Sequence, residues 1–159
     1  MKTILITDDR LGGLHHIHCI PVSVFGEIEI DYATGLHSFT LNSTDGVYDI
    51  PCLGGDDYSF GEEHGRDENG DYWQPTVVGI IPHPDLLNAG DIEALERGEW
   101  IVLCEDQNGV LRLCGDEDTQ LTFSTATTSG TAPTDKNQVV FTLTGKLGHP
   151  SYVVEGGID

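Results

Sequence analysis

Apolar and polar residues alternate along most of the chain, in short runs broken by Gly, Asp, Asn and Pro. Over 27–32, Ile28, Ile30 and Tyr32 interleave with Glu27, Glu29 and Asp31. That two-residue period is the mark of a half-buried strand with a wet, acidic face. Comparable β-rich runs lie at 2–7, 14–25, 37–41, 47–53, 99–105, 110–114, 120–125, 138–144 and 151–154. Pro21 interrupts the run at 14–25, which suits a sheet edge or a bulge. Residues 58–63 and 71–81 read as the arms of one long hairpin, 58–81, closed by the loop Gly65-Arg66-Asp67-Glu68-Asn69-Gly70.

One segment changes period. Between 85 and 97 the apolar residues are Leu86, Leu87, Ile92 and Leu95, and Asp91-Ile92-Glu93-Ala94-Leu95-Glu96-Arg97-Gly98 closes the run. Asp91 suits a helix N-cap, Arg97 the C-terminal dipole and Gly98 the C′ position, so a short helix is predicted over 85–97. The stretch 127–137 is polar and poor in apolar residues, and reads as a mobile or contact loop. Together these elements predict one mainly β domain over 1–159. It is an antiparallel sandwich or barrel with one short flanking α-helix.

Composition narrows the function. Lys and Arg total 7 against 27 Asp and Glu, a formal charge of −20. So few cations cannot release the counterions that drive nucleic-acid binding, and no polybasic membrane patch can form. Glycine, 20 of 159 residues, is well above the usual share of about 7%, which favours turn-rich β structure over a helical bundle. No run approaches a membrane span. The opening Met1–Asp8 lacks the apolar core and small-residue cleavage site of a signal peptide, so synthesis in a cytoplasm is expected.

Candidate chemistry is sparse. His15-His16-Ile17-His18-Cys19 is the sharpest cluster, and on a strand His16 and His18 share a face, making them the residues a metal would use. His37, His64, His83 and His149 stand apart, and no partner motif supplies further ligands. The expectation is therefore hydrogen-bonded neutral imidazoles, with no metal and no cofactor. The acidic run Asp67-Glu68-Asn69-Gly70-Asp71 fails the EF-hand pattern, which needs Gly and Glu where Tyr72 and Val78 stand. There is no nucleophile elbow, phosphate loop or dinucleotide fingerprint, and an enzyme is not expected. Cys19, Cys52, Cys104 and Cys114 read as free buried thiols. With Asn108-Gly109 as a two-residue turn, Cys104 would face Leu113 and lie on the opposite sheet face from Cys114.

The stretches WIVLCEDQNGVLRLCG and LTF…TSGTAPTDKNQVVFTLTG, with the opening GGLHHIHCIPVSVF, resemble small tail proteins encoded by phages and prophages of Bacteroidetes-type hosts. The resemblance implies a tail-tube-like fold, whose subunits form rings or tubes with themselves and join other tail proteins in the virion. It also implies an acidic lumen through which DNA passes unbound, and it carries no catalytic residues. The expected assembly contacts are Gly61, Glu62, Glu63 and Asp67 of the hairpin, with a tip ordered only against a neighbour, and Thr128, Gly130 and Asp135 of the loop. Two alternatives stand beside it. One is a β-sandwich ligand- or carbohydrate-binding module with Tyr72, Trp73 and Trp100 as its platform. The other is a cupin-like metalloprotein using His16 and His18.

Overall fold

A computed structural model describes residues 12–52, 57–82, 86–128 and 138–158, with the backbone alone at 82, 86–89, 127–128 and 138. The predicted strand at 2–7, and Gly130 and Asp135, lie outside the described residues.

The chain opens with β1 (Leu14–Ile20), β2 (Phe25–Ile30), β3 (His37–Leu41) and β4 (Tyr48–Pro51). A turn of 3-10 helix at Val22–Val24, begun by Pro21, breaks the first long run into β1 and β2. The hairpin of β5 (Ser59–Asp67) and β6 (Gly70–Pro82) follows. Then come α1 (Leu86–Arg97), β7 (Glu99–Asp106), β8 (Leu111–Cys114), β9 (Leu121–Thr128), β10 (Gln138–Thr144) and β11 (Tyr152–Val154). The fold is mainly β with one short helix, as the residue pattern predicts.

Two sheets share one strand. The first runs β4-β1-β7-β8-β11-β3-β2 and the second β7-β9-β10-β6-β5. The outer half of β7 pairs with β8 from Val102 to Glu105, while Glu99 and Trp100 pair with β9. Every ladder among the described residues is antiparallel except β11 with β3, which meet at Val154 and His37 in parallel. Because β7 is covered on both faces, its residues from Trp100 to Cys104 are all buried. Trp100, Val102 and Cys104 join Ile17, Val77, Leu121, Phe123 and Phe141 in the core between the sheets. Ile101 and Leu103 face the other way, against Ile20, Phe25, Leu113 and Val154. Phe39 and Leu41 also pack on that second cluster, so the first sheet curls until its far hairpin β2–β3 covers its own middle.

Four local expectations are corrected. First, α1 begins at Leu86, so Asp91 lies inside the helix and exposed rather than at its N-cap. Gly98 is not in the left-handed region; a Cβ there would come within 2.7 Å of the Trp100 ring, and that close approach is what requires glycine. Trp100 in turn donates from Nε1 to the Leu95 carbonyl at 2.9 Å, which anchors the helix end to the core.

Second, β9 continues to Thr128, with Thr127 and Thr128 opposite Val139 and Gln138, so these two residues are strand and not loop. Threonine fits a pleated surface well enough to extend the ladder. Third, Asp106 captures the amides of Asn108 at 2.8 Å and Val110 at 3.0 Å, and Gly109 takes φ +79°. The turn is thereby longer than two residues, and the register moves by one: Cys104 faces Arg112 and Val102 faces Cys114. Cys104 and Cys114 therefore share a face, diagonal to one another and both free.

The fourth correction concerns the hairpin. In place of the open loop from Gly65 to Gly70, the arms pair without a break to Asp67 opposite Gly70. Asp67 caps the amide of Asn69 at 2.8 Å, and Gly70 takes φ +110°, a backbone state that glycine reaches without strain.

Candidate assembly surface

Within the single chain the hairpin arms stay paired to the tip, and the tip is tied to the rest of the domain. The cause is a set of side-chain ties that sequence distance hides. The Glu62 carboxylate accepts from the Ser151 amide at 2.8 Å and from its hydroxyl at 3.3 Å. Arg66 Nε and His64 Nε2 both meet the Asp71 carboxylate, at 2.8 and 3.2 Å. Lys146 pairs with Asp67 and sits 4.3 Å from the centre of the Tyr72 ring. That ring lies over Gly65, where a Cβ would approach it to 2.3 Å. The bond from Lys146, aided by the Asn69 amide, holds the Asp67 carboxyl below its ordinary range.

Of the expected contact residues, the structure describes those of β5 and Thr128, and it sets them apart. Gly61, Glu62, Glu63 and Asp67 lie on β5, level with Thr76, Pro75, Gln74 and Gly70 of β6. Thr128 lies at the end of β9, across from Gln138, which is level with Pro82. From the level of Gly70 to that of Pro82 along β6 is about 40 Å of extended chain. The two groups are not brought together.

Backbone direction on β5 follows from its neighbours. Trp73 and Leu147 exchange hydrogen bonds of 2.9 and 2.8 Å, so Trp73 turns its backbone away from β5. By alternation Tyr72 and Gln74 bond Gly65 and Glu63, and the backbone groups of Phe60, Glu62, His64 and Arg66 point outward from the sheet. Among the described residues no strand pairs with that edge.

The histidine cluster behaves differently. His16 and His18 do share a face, and both turn toward Asp49 of β4, at 3.0 Å from His16 Nδ1 and 3.4 Å from His18 Nε2. Asp49 is the member that sequence reasoning missed, because it stands on another strand. Burial pulls the His18 imidazole below its ordinary value, with Asp49 opposing. Its Nδ1 is buried with no hydrogen-bond partner among the described residues. Among those residues no three His, Cys, Asp or Glu side chains form a group that would hold a metal ion.

A second imidazole cluster centres on Tyr152. His149 lies 2.8 Å from Asp116 Oδ2 through Nε2 and 2.8 Å from the Pro150 carbonyl through Nδ1. Tyr152 lies between His149 and His37, with ring centroids at 4.5 and 4.0 Å. The only sequence signal is the parity that puts Tyr152 and Val154 on one face.

Of the aromatic platform, Trp100 is only 6% exposed and belongs to the core. Tyr72 and Trp73 point to opposite faces of β6, one over Gly65 and the other beside His64 at 4.9 Å. No known protein family, curated protein or solved structure matches the chain.

Proposed function

We propose that this chain is a structural subunit of a phage or prophage tail, of the tail tube or a closely related part, that works by self-association and not by catalysis. The observation that carries this reading is the edge of β5. Three strands end the two sheets among the described residues. Exposed edges invite pairing with another chain, and proteins usually shorten, bulge or block them. β4 has four residues and ends in Pro51. β2 carries a register shift between Phe25 and Ile28, at Gly26, where Thr40 packs so closely that no Cβ fits. β5 has nine residues, no proline and no shift in register. A charge of −20 supports the tail reading, since a conduit for DNA must not bind it.

The test is electron microscopy and sedimentation of concentrated protein against salt. Subunits of this charge repel until the Debye length falls below about 10 Å, so rings, tubes or smaller oligomers are expected to grow with added salt. A protein that stays monomeric at high concentration and high salt overturns the reading.

A second reading rests on an apolar groove of about 360 Å³ between Tyr48 and Ile50 of β4, Tyr58, Ile80 of β6 and Ile92 and Leu95 of α1. That volume is enough for a small ligand. Saturable binding of a small apolar probe, blocked by Ile92→Trp, would favour a binding module over a tail subunit.

A further inference from the structure

We infer that two copies of this chain join through β5, edge to edge and antiparallel, about a two-fold axis at Glu63. This rests on the self-association proposed above and assigns its first step a surface and a register; a two-fold contact closes on itself, so rings or tubes grow from such dimers through other surfaces. The outward backbone groups belong to Phe60, Glu62, His64 and Arg66, and an antiparallel ladder between identical edges must bring those residues opposite one another. With Glu63 at the centre, Glu62 meets His64 of the second copy and Phe60 meets Arg66, each twice. The strand is used along its full length, since Ser59 meets Asp67 and Gly61 meets Gly65.

Charge and shape suit this register. Acid meets imidazole and guanidinium meets an aromatic ring, and these contacts add to the ties that Glu62 keeps with Ser151, His64 and Arg66 with Asp71, and Phe60 with Arg112. At Gly61 a Cβ would find nothing within 4 Å, so the strand offers a smooth face there. The inner faces of the two copies continue on the same side, and the second sheet of each becomes half of one larger sheet. One contact opposes the pairing. Glu63 meets itself, on the exposed face, at a site without ladder hydrogen bonds.

That contact makes the register testable. At such a site the Cα atoms lie about 4.5 Å apart, within reach of a disulfide. Glu63→Cys is expected to form a disulfide-linked dimer on mild oxidation. Ser59→Cys, exposed on the same strand and face, is expected not to, since its two copies would stand about 26 Å apart. The four native thiols are buried and do not interfere. In the reduced full-length chain, Glu63→Gln removes the opposing charge, and sedimentation is expected to show a dimer up to about fivefold tighter. His64→Pro removes an outward N–H at the centre of the ladder, and the dimer is expected to weaken about tenfold or more.

If the chain self-associates but the Glu63→Cys variant links no better than the Ser59→Cys variant, and Glu63→Gln changes nothing, this edge is not the interface while the assembly reading stands. If no variant self-associates at any salt concentration, both fall.

Discussion

Gly79 of β6 lies directly opposite Phe141 of β10, and the phenyl ring occupies the space a side chain at 79 would need. A Cβ there would come within 2.5 Å of Phe141 and 2.7 Å of the Tyr58 ring. Gly79→Ala is therefore expected to destabilise the fold by about 1–3 kcal/mol through overpacking. Gly61→Ala, where nothing is near, should be neutral or stabilising by up to about 1 kcal/mol. Urea denaturation of the two variants checks the pair, and equal effects would refute the packing described between β6 and β10.

Removal of the Glu62 side chain frees two donors of Ser151. Glu62→Ala is expected to cost about 1–2 kcal/mol, and Ser151→Ala less, because the amide still finds the carboxylate. Hydrogen exchange should rise at Ser151 in the first variant and stay low in the second.

The thiols should be silent in the native protein. Burial pushes Cys19 and Cys52 up to about 12, with the Asp49 carboxylate adding to the effect at Cys52. Cys114 is raised as well, first by its hydrogen bond with Cys104 and then by burial. A thiol-reactive chromophore at pH 8 is expected to label none of the four until denaturant is added. Rapid native labelling at any one of them would place it at the surface.

Acid should weaken the fold in two stages. Burial holds His18 below its ordinary value of 6.5, so the unfolded chain binds the proton first. Stability is full above that value and falls as pH drops toward the lowered one. The second stage belongs to Asp106 and Asp116, with the exposed Asp67, held low by Lys146, adding in the same sense. Burial opposes their ionisation, but hydrogen bonds from the Val110 and Asn108 amides at Asp106, and from Thr119, Asp118 and His149 at Asp116, outweigh it. Both carboxyls are held below the ordinary 3.8, so their contribution is complete above that value and is lost as pH falls through the lowered ones. In a series of melts against pH, His18→Gln is expected to flatten the first stage and leave the second. A first stage that persists in this variant would assign it to another group.

Strand positions were legible because period-two alternation reports burial directly. His37–Leu41 and Gln138–Thr144 fall where the pattern puts them, and Val139, Phe141 and Leu143 all turn inward. Register was less legible, since the carboxylate of Asp106, and not the Asn-Gly pair, sets the length of the turn after β7. The site suffered most. The parity of His16 and His18 is a local fact, but Asp49 reaches them only because β4 pairs with β1 across 33 residues. The ties from Ser151 to Glu62 and from Lys146 to Asp67 span 89 and 79 residues, beyond the reach of any short-range pattern.

β7 has a mechanical consequence. Glu99 and Trp100 pair into one sheet and the rest of the strand into the other, so among the described residues the two sheets are joined through β7. A pull on either sheet is borne by the same strand, whose partners β1 and β9 lie on opposite sides of it in the chain. Loss of that one strand would therefore be felt in both sheets, and their unfolding is expected to be coupled.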